Sequence, residues 1–113
     1  MDLVALTNSY AEAFDKKNIK RIGDLMSDVF TLTDGVVNKL APKKEVIPYI
    51  WELMQSNSSK FEFEVIEILE GLNFTTLEFK LYLNDEIFHG VDLIQWQDGL
   101  MVDMRAFLNN VSI

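Results

Sequence analysis

Residues Phe88 to Phe107 read FHGVDLIQWQDGLMVDMRAF, and this stretch decides the fold. It has the pattern of two half-buried strands joined at a turn containing Asp98 and Gly99. Side chains alternate between faces along a strand, so Asp92 shares a face with Phe88, Ile94 and Trp96. A carboxylate in that company needs an explanation. A two-residue turn at Asp98-Gly99 would set Asp92 against Arg105, a cross-strand ion pair. A three-residue turn, Gln97-Asp98-Gly99 with Gly99 left-handed, would instead pair Trp96 with Leu100, Ile94 with Val102, Asp92 with Met104 and Gly90 with Ala106. The second register leaves one face apolar except for Asp92 and sends Arg105 to the other side. A one-residue slip would turn every side chain over, so the apolar pattern favours this register.

The rest of the chain supplies three helices and more strands. Leu3, Leu6, Tyr10, Ala13 and Phe14 recur at helical spacing and predict a helix over residues 3–16. Asn18 suits the N-cap of a short second helix carrying Ile19, Ile22, Leu25 and Met26. VFTLTD, Val29 to Asp34, reads as a strand that Gly35 ends, and Asp34 keeps the parity of Phe30 and Leu32. Pro42 could open a third helix with Val46, Ile47, Ile50, Trp51 and Met54, which Pro48 must kink or start. Strands follow at about 60–70, 74–83, 86–97 and 100–109. The phase change from Phe61, Phe63 and Val65 to Ile66 and Ile68 predicts a bulge. Helices first and strands last give an α+β fold, with a curved antiparallel sheet wrapped around N-terminal helices as a cone.

Composition narrows the function. The 113 residues, 49% apolar and 25% charged, suit one globular domain over 1–113. No apolar run reaches a membrane span, no signal-peptide pattern opens the chain, and cysteine is absent, so a cytoplasmic location is expected. A formal net charge of −8 opposes binding to nucleic acid or to anionic membranes. Lys16, Lys17, Lys20 and Arg21 read as the wet side of two helices. His89 is the single histidine and has the opposite parity to Asp92, so no metal site and no cofactor are expected. Val91, Leu93, Met101 and Phe107 crowd the outer sheet face and predict a homodimer through the sheet.

The order of elements, with SYAEAF in helix one, DVFTLTDG after helix two and GVDLIQWQDGLMVDMRAF at the end, resembles the SnoaL-like superfamily. These proteins share the nuclear-transport-factor-2-like cone, a cystatin-like architecture. Tyr10, Asp34 and Asp92 fall where ketosteroid isomerases carry a helix-one tyrosine, a general-base aspartate and an aspartic acid of the penultimate strand. Two positions depart from that pattern. Gly35 replaces a proline after the base, and Ile50 stands in place of a helix-three tyrosine, with Tyr49 beside it.

The resemblance implies proton transfer next to a carbonyl on a small apolar ligand. Asp34 would be the base, with Tyr10 and a protonated Asp92 as donors to the enolate oxygen. Holding Asp92 neutral at pH 7 means raising its carboxyl from about 3.9 by roughly three pH units, about 4 kcal/mol, which burial can achieve. The expected pocket includes Phe14, Trp51, Met54, Phe63 and Phe79. Phe88, Ile94, Trp96 and Met104 complete it. Taken singly, each acid also has a structural explanation: Asp34 as a turn residue, Asp92 as an ion-pair or amide partner. A non-catalytic binding or dimerisation module, or a polyketide-cyclase-like aldol catalyst, would carry the same acids on the same cone.

Overall fold

The computed structural model describes residues 1–56 and 59–112. Three helices, α1 (Leu3–Asp15), α2 (Ile19–Asp24) and α3 (Lys43–Ser56), lie on one face of a five-stranded sheet. The strands are β1 (Met26–Thr33), β2 (Phe61–Glu70), β3 (Phe74–Leu83), β4 (Glu86–Gln97) and β5 (Leu100–Asn110). Their order across the sheet is β1-β5-β4-β3-β2. The expected antiparallel pairing holds from β2 to β5, while β1 joins β5 in parallel. The chain reaches β5 only after the whole meander, and β5 then runs alongside the strand that followed α2.

The helices bury most of the stripe their spacing predicts, except that α2 ends at Asp24, so Leu25 caps it and Met26 opens β1. Asp2 caps α1 by accepting the Ala5 amide at 3.0 Å, and Leu3, Tyr10, Ala11 and Phe14 face the sheet. Asn18 caps α2 through the Arg21 amide at 3.0 Å. Lys16 and Lys20 pair with Glu12 and Asp24 on exposed helix surface, so the basic group is a solvated face. On α3, Val46, Ile50 and Met54 are buried at four-residue intervals, and the helix starts five residues before Pro48. Trp51 falls between those stripes and is 42% exposed, which corrects its assignment to the pocket.

The β2 bulge lies where the phase change placed it, between the Val65 and Glu67 pairings. The β4–β5 turn differs from the expected one. Asp98 and Gly99 both have positive φ, 53° and 79°, and form a two-residue turn with Gln97 opposite Leu100 and Trp96 opposite Met101. Val102 then has no partner, and this bulge moves the pairing by one, so that Ile94 meets Met104 and Asp92 meets Ala106. Beyond the bulge, the face containing Asp92 is the expected one. Before it, Met101 is fully buried and Leu100 is exposed, the reverse of the sequence reading. Arg105 pairs with Leu93 and points to the outer face.

A buried polar cluster fixes the far end of the core. The Thr7 hydroxyl donates to the Leu3 carbonyl at 2.7 Å, and the Trp96 indole N–H donates to Thr75 Oγ1 at 2.9 Å. Thr7 and Thr75 share a 2.8 Å hydrogen bond, so three buried polar groups are satisfied together. Nearer Asp92, Gly90 makes room for its neighbours. A Cβ there would lie 2.6 Å from Phe79 Cζ and 2.8 Å from the Phe107 carbonyl oxygen. The backbone oxygen cannot yield as a side-chain tip would. Gly90→Ala is expected to destabilise the fold by about 1–3 kcal/mol in urea titration, while a neutral effect would mean that β5 moves freely there.

Candidate active site

Asp34 follows the last residue of β1, where the chain turns away from the sheet. Its Oδ1 accepts the backbone N–H groups of Val36 and Val37, both at 2.7 Å, and its Oδ2 accepts the Tyr49 hydroxyl at 2.8 Å. Such threefold acceptance is the coordination of a carboxylate. Tyr49 is supplied by α3, so β1 and α3 are tied through the acid. The Tyr49 phenol is pushed up to about 12, by burial first and then by the Asp34 bond and charge. It stays a donor throughout the ordinary pH range.

Asp92 is 4% exposed on the inner face of β4. Among the described residues no hydrogen-bond donor or cation reaches its carboxyl, and the facing residue on β5 is Ala106. Burial alone pushes the carboxyl up to about 8, so the neutral acid dominates at pH 7. Tyr10, from α1, is also buried, and its hydroxyl donates weakly to Met104 Sδ at 3.8 Å. Burial, and secondarily the Asp92 charge, raise the Tyr10 phenol well above its ordinary value. Both groups are hydrogen-bond donors at neutral pH.

Tyr10, Asp34 and Asp92 line a single cavity of about 80 Å³, closed by Phe14, Phe63, Phe79 and Met104. The aromatic wall is continuous: Phe14 meets Phe63 at 5.1 Å between centroids, and Phe63 stacks on Phe79 at 4.4 Å. Met54 and Ile94 are fully buried and pack within the core without reaching the cavity. Trp96 turns its indole to Thr75, and Phe88 lines a neighbouring groove. Met54, Ile94 and Trp96, with Trp51, are corrections to the expected pocket, while Phe88 lies in the groove that adjoins the cavity.

Sequence reasoning left out Phe30, Leu32, Ile50 and Leu53 on one side of the cavity, and Leu81, Ala106 and Leu108 on the other. Parity with Asp34 on β1 already pointed to Phe30 and Leu32, and parity with Asp92's partner on β5 to Leu108. The resemblance offers Tyr49 as a substitute for the helix-three tyrosine that supports the oxyanion hole, but its hydroxyl goes to Asp34. Its placement beside Asp34, away from the donor pair, depends on the angle at which α3 crosses β1. His89 lies on the outer face with its Nε2 2.6 Å from Glu78 Oε2, as its parity implied. No group of three or more metal-ligating side chains occurs among the described residues.

No family model matches the sequence, and no curated protein is detectably similar to it. Solved structures do match. A candidate ketosteroid isomerase of Kribbella flavida superposes with a TM-score of 0.82 at 15% identity, over 96% of this chain and 78% of the other. A nuclear-transport-factor-2-like protein of unknown function from Cytophaga hutchinsonii gives 0.81 at 13% identity, over 96% and 91%. A candidate isomerase of the SnoaL-like family from Agrobacterium tumefaciens gives 0.78 at 15% identity, over 94% and 96%. With α-helices cradled by one curved sheet, the chain has the nuclear-transport-factor-2-like cone fold shared by ketosteroid-isomerase-like and SnoaL-like proteins.

Proposed function

We propose that the protein is a proton transferase acting next to a carbonyl, in the manner of ketosteroid isomerases. The observation that supports this most directly is one apolar cavity containing an acceptor acid, Asp34, and a donor acid, Asp92, with Tyr10 as second donor. The substrate carbonyl would sit between Tyr10 and Asp92, whose O–H groups meet the negative charge that develops on oxygen. Asp34 would take the proton from the adjacent carbon through the free lone pair of Oδ2 and return it at the γ-carbon. The double bond moves into conjugation, and no atom is gained or lost. Tyr49 would orient the base and hold its charge in place. The test is conversion of a β,γ-unsaturated ketone to its conjugated isomer, followed by ultraviolet absorbance. A rate no greater than that of the buffer would overturn the proposal.

One observation favours the second reading, a non-catalytic binding module. The three hydrogen bonds on Asp34 would equally hold the turn after β1 against α3. The two readings part at Asp34→Asn, which a purely structural turn tolerates and a base does not.

For the outer sheet face, we propose a homodimer. Phe107 is 60% exposed there, beside Val91 across the β4–β5 ladder, and Leu93 lies next along β4. The patch is smaller than the sequence suggested, because Met101 belongs to the core. Light scattering should give twice the 13.0 kDa chain mass, reverting to one chain in Phe107→Arg. A single-chain mass for the unaltered protein would remove the dimer.

A further inference from the structure

The cavity that contains Tyr10 and Asp92 does not end at Asp34. A groove of about 600 Å³ adjoins it between α3 and the ends of β3 and β4. Asp34, Tyr49, Leu53, Leu81 and Leu108 line both spaces and so form the neck between them. Beyond the neck the walls are Val36, Leu83 and Phe88, with Glu52 and Ser56 as polar groups at the α3 side. Val36 is 83% exposed, so the groove opens to solvent there.

The two volumes are very unequal. At roughly 30 Å³ per water, 80 Å³ holds about two or three waters, enough for a carbonyl and its neighbouring carbons. Pockets that enclose whole drug-sized ligands span about 300–1,000 Å³, a range the inner cavity misses and the outer groove meets. Asp34 stands at the junction, where a base must lie to reach the carbon next to a carbonyl held further in.

Resting on the proton-transfer reading, we infer that the substrate is an elongated carbonyl compound. Its carbonyl end enters the inner cavity, its acidic carbon lies at the neck, and its apolar tail runs along the outer groove. A compact fused-ring ketone does not fit this division of space, whereas an alkyl chain or a single ring on a short arm does. The apolar walls select the tail, and the two buried donors select the head.

The experiment is an NMR titration of the protein with methyl ketones from 2-butanone to 2-decanone. Each added methylene that enters the groove should lower Kd by about fourfold until the groove is filled. In Leu83→Glu that gain should fall below twofold per methylene. Val36→Glu, at a position open to solvent, serves as the second variant should Leu83→Glu fail to fold. Affinity independent of chain length would overturn the inference, as would an undiminished gain in the variants or a four-ring ketone binding more tightly than 2-decanone. The two proposals fail separately. Chain-dependent binding without isomerisation of the matching β,γ-unsaturated ketones removes the proton transfer and keeps the groove. Isomerisation indifferent to chain length does the reverse.

Discussion

Asp34→Asn should lower kcat for ketone isomerisation by about 10²–10⁴-fold, the span over which a positioned general base contributes. The substitution isolates the chemistry because it preserves the local architecture. Asparagine Oδ1 can still accept the Val36 and Val37 amides, which reach Asp34 Oδ1 at 2.7 Å. Its Nδ2 can donate to the Tyr49 oxygen, reversing the present 2.8 Å bond without breaking it. The turn after β1 therefore keeps three contacts, and the melting temperature should stay within a few degrees. The ketone should also bind with little change, since the donors to its oxygen are Tyr10 and Asp92. Loss of rate with retained fold and affinity identifies a base. If the variant kept more than a tenth of the original kcat, Asp34 would be a turn residue and the binding-module reading would stand.

Much of this arrangement was legible in the chain because strand parity and helix spacing are local properties. The inward faces of Asp34 and Asp92 follow from Phe30 and Leu32 in one strand and from Ile94 and Trp96 in the other. The limits of β3 and β4 are those the sequence predicts, 74–83 and 86–97. The β4–β5 turn was misread because Asp98 itself accepts a left-handed conformation, so the shorter loop became available. The apolar pattern then asserted itself through a bulge at Val102, which no local signal announces. Met101 and Leu100 exchanged faces as a result. Trp51 and Tyr49 depend on how α3 is rotated against β1, a tertiary property beyond the reach of periodicity. Cavity volume is further still from the sequence, since it is the small remainder after large side chains have packed.

Asp92→Asn should make the protein more stable at pH 8–9 and leave it nearly unchanged near pH 4. The sign follows from where the proton is held. Burial pushes the folded-state carboxyl up from 3.8 to about 8, so between those values the folded chain retains a proton that the unfolded chain has released. Stability from this group is fully present below about pH 4 and is lost as pH rises toward 8, by about 1.4 kcal/mol per pH unit. Across the window the loss is on the order of 5 kcal/mol, a large share of the stability of a small domain. Asparagine has nearly the shape of the neutral acid and does not ionise in this range, so its variant escapes the decline. Comparing the two proteins in urea at each pH cancels every other carboxylate, because those are common to both. The same titration sets an upper limit on activity: as Asp92 loses its proton near pH 8 the enolate loses a donor and faces a like charge, so kcat should fall above that pH. In Asp92→Asn a weaker donor remains at all pH values, and the fall near pH 8 should vanish along with part of the rate. A stability difference independent of pH would mean that water or a cation reaches the carboxyl, and the donor role of Asp92 would go with it.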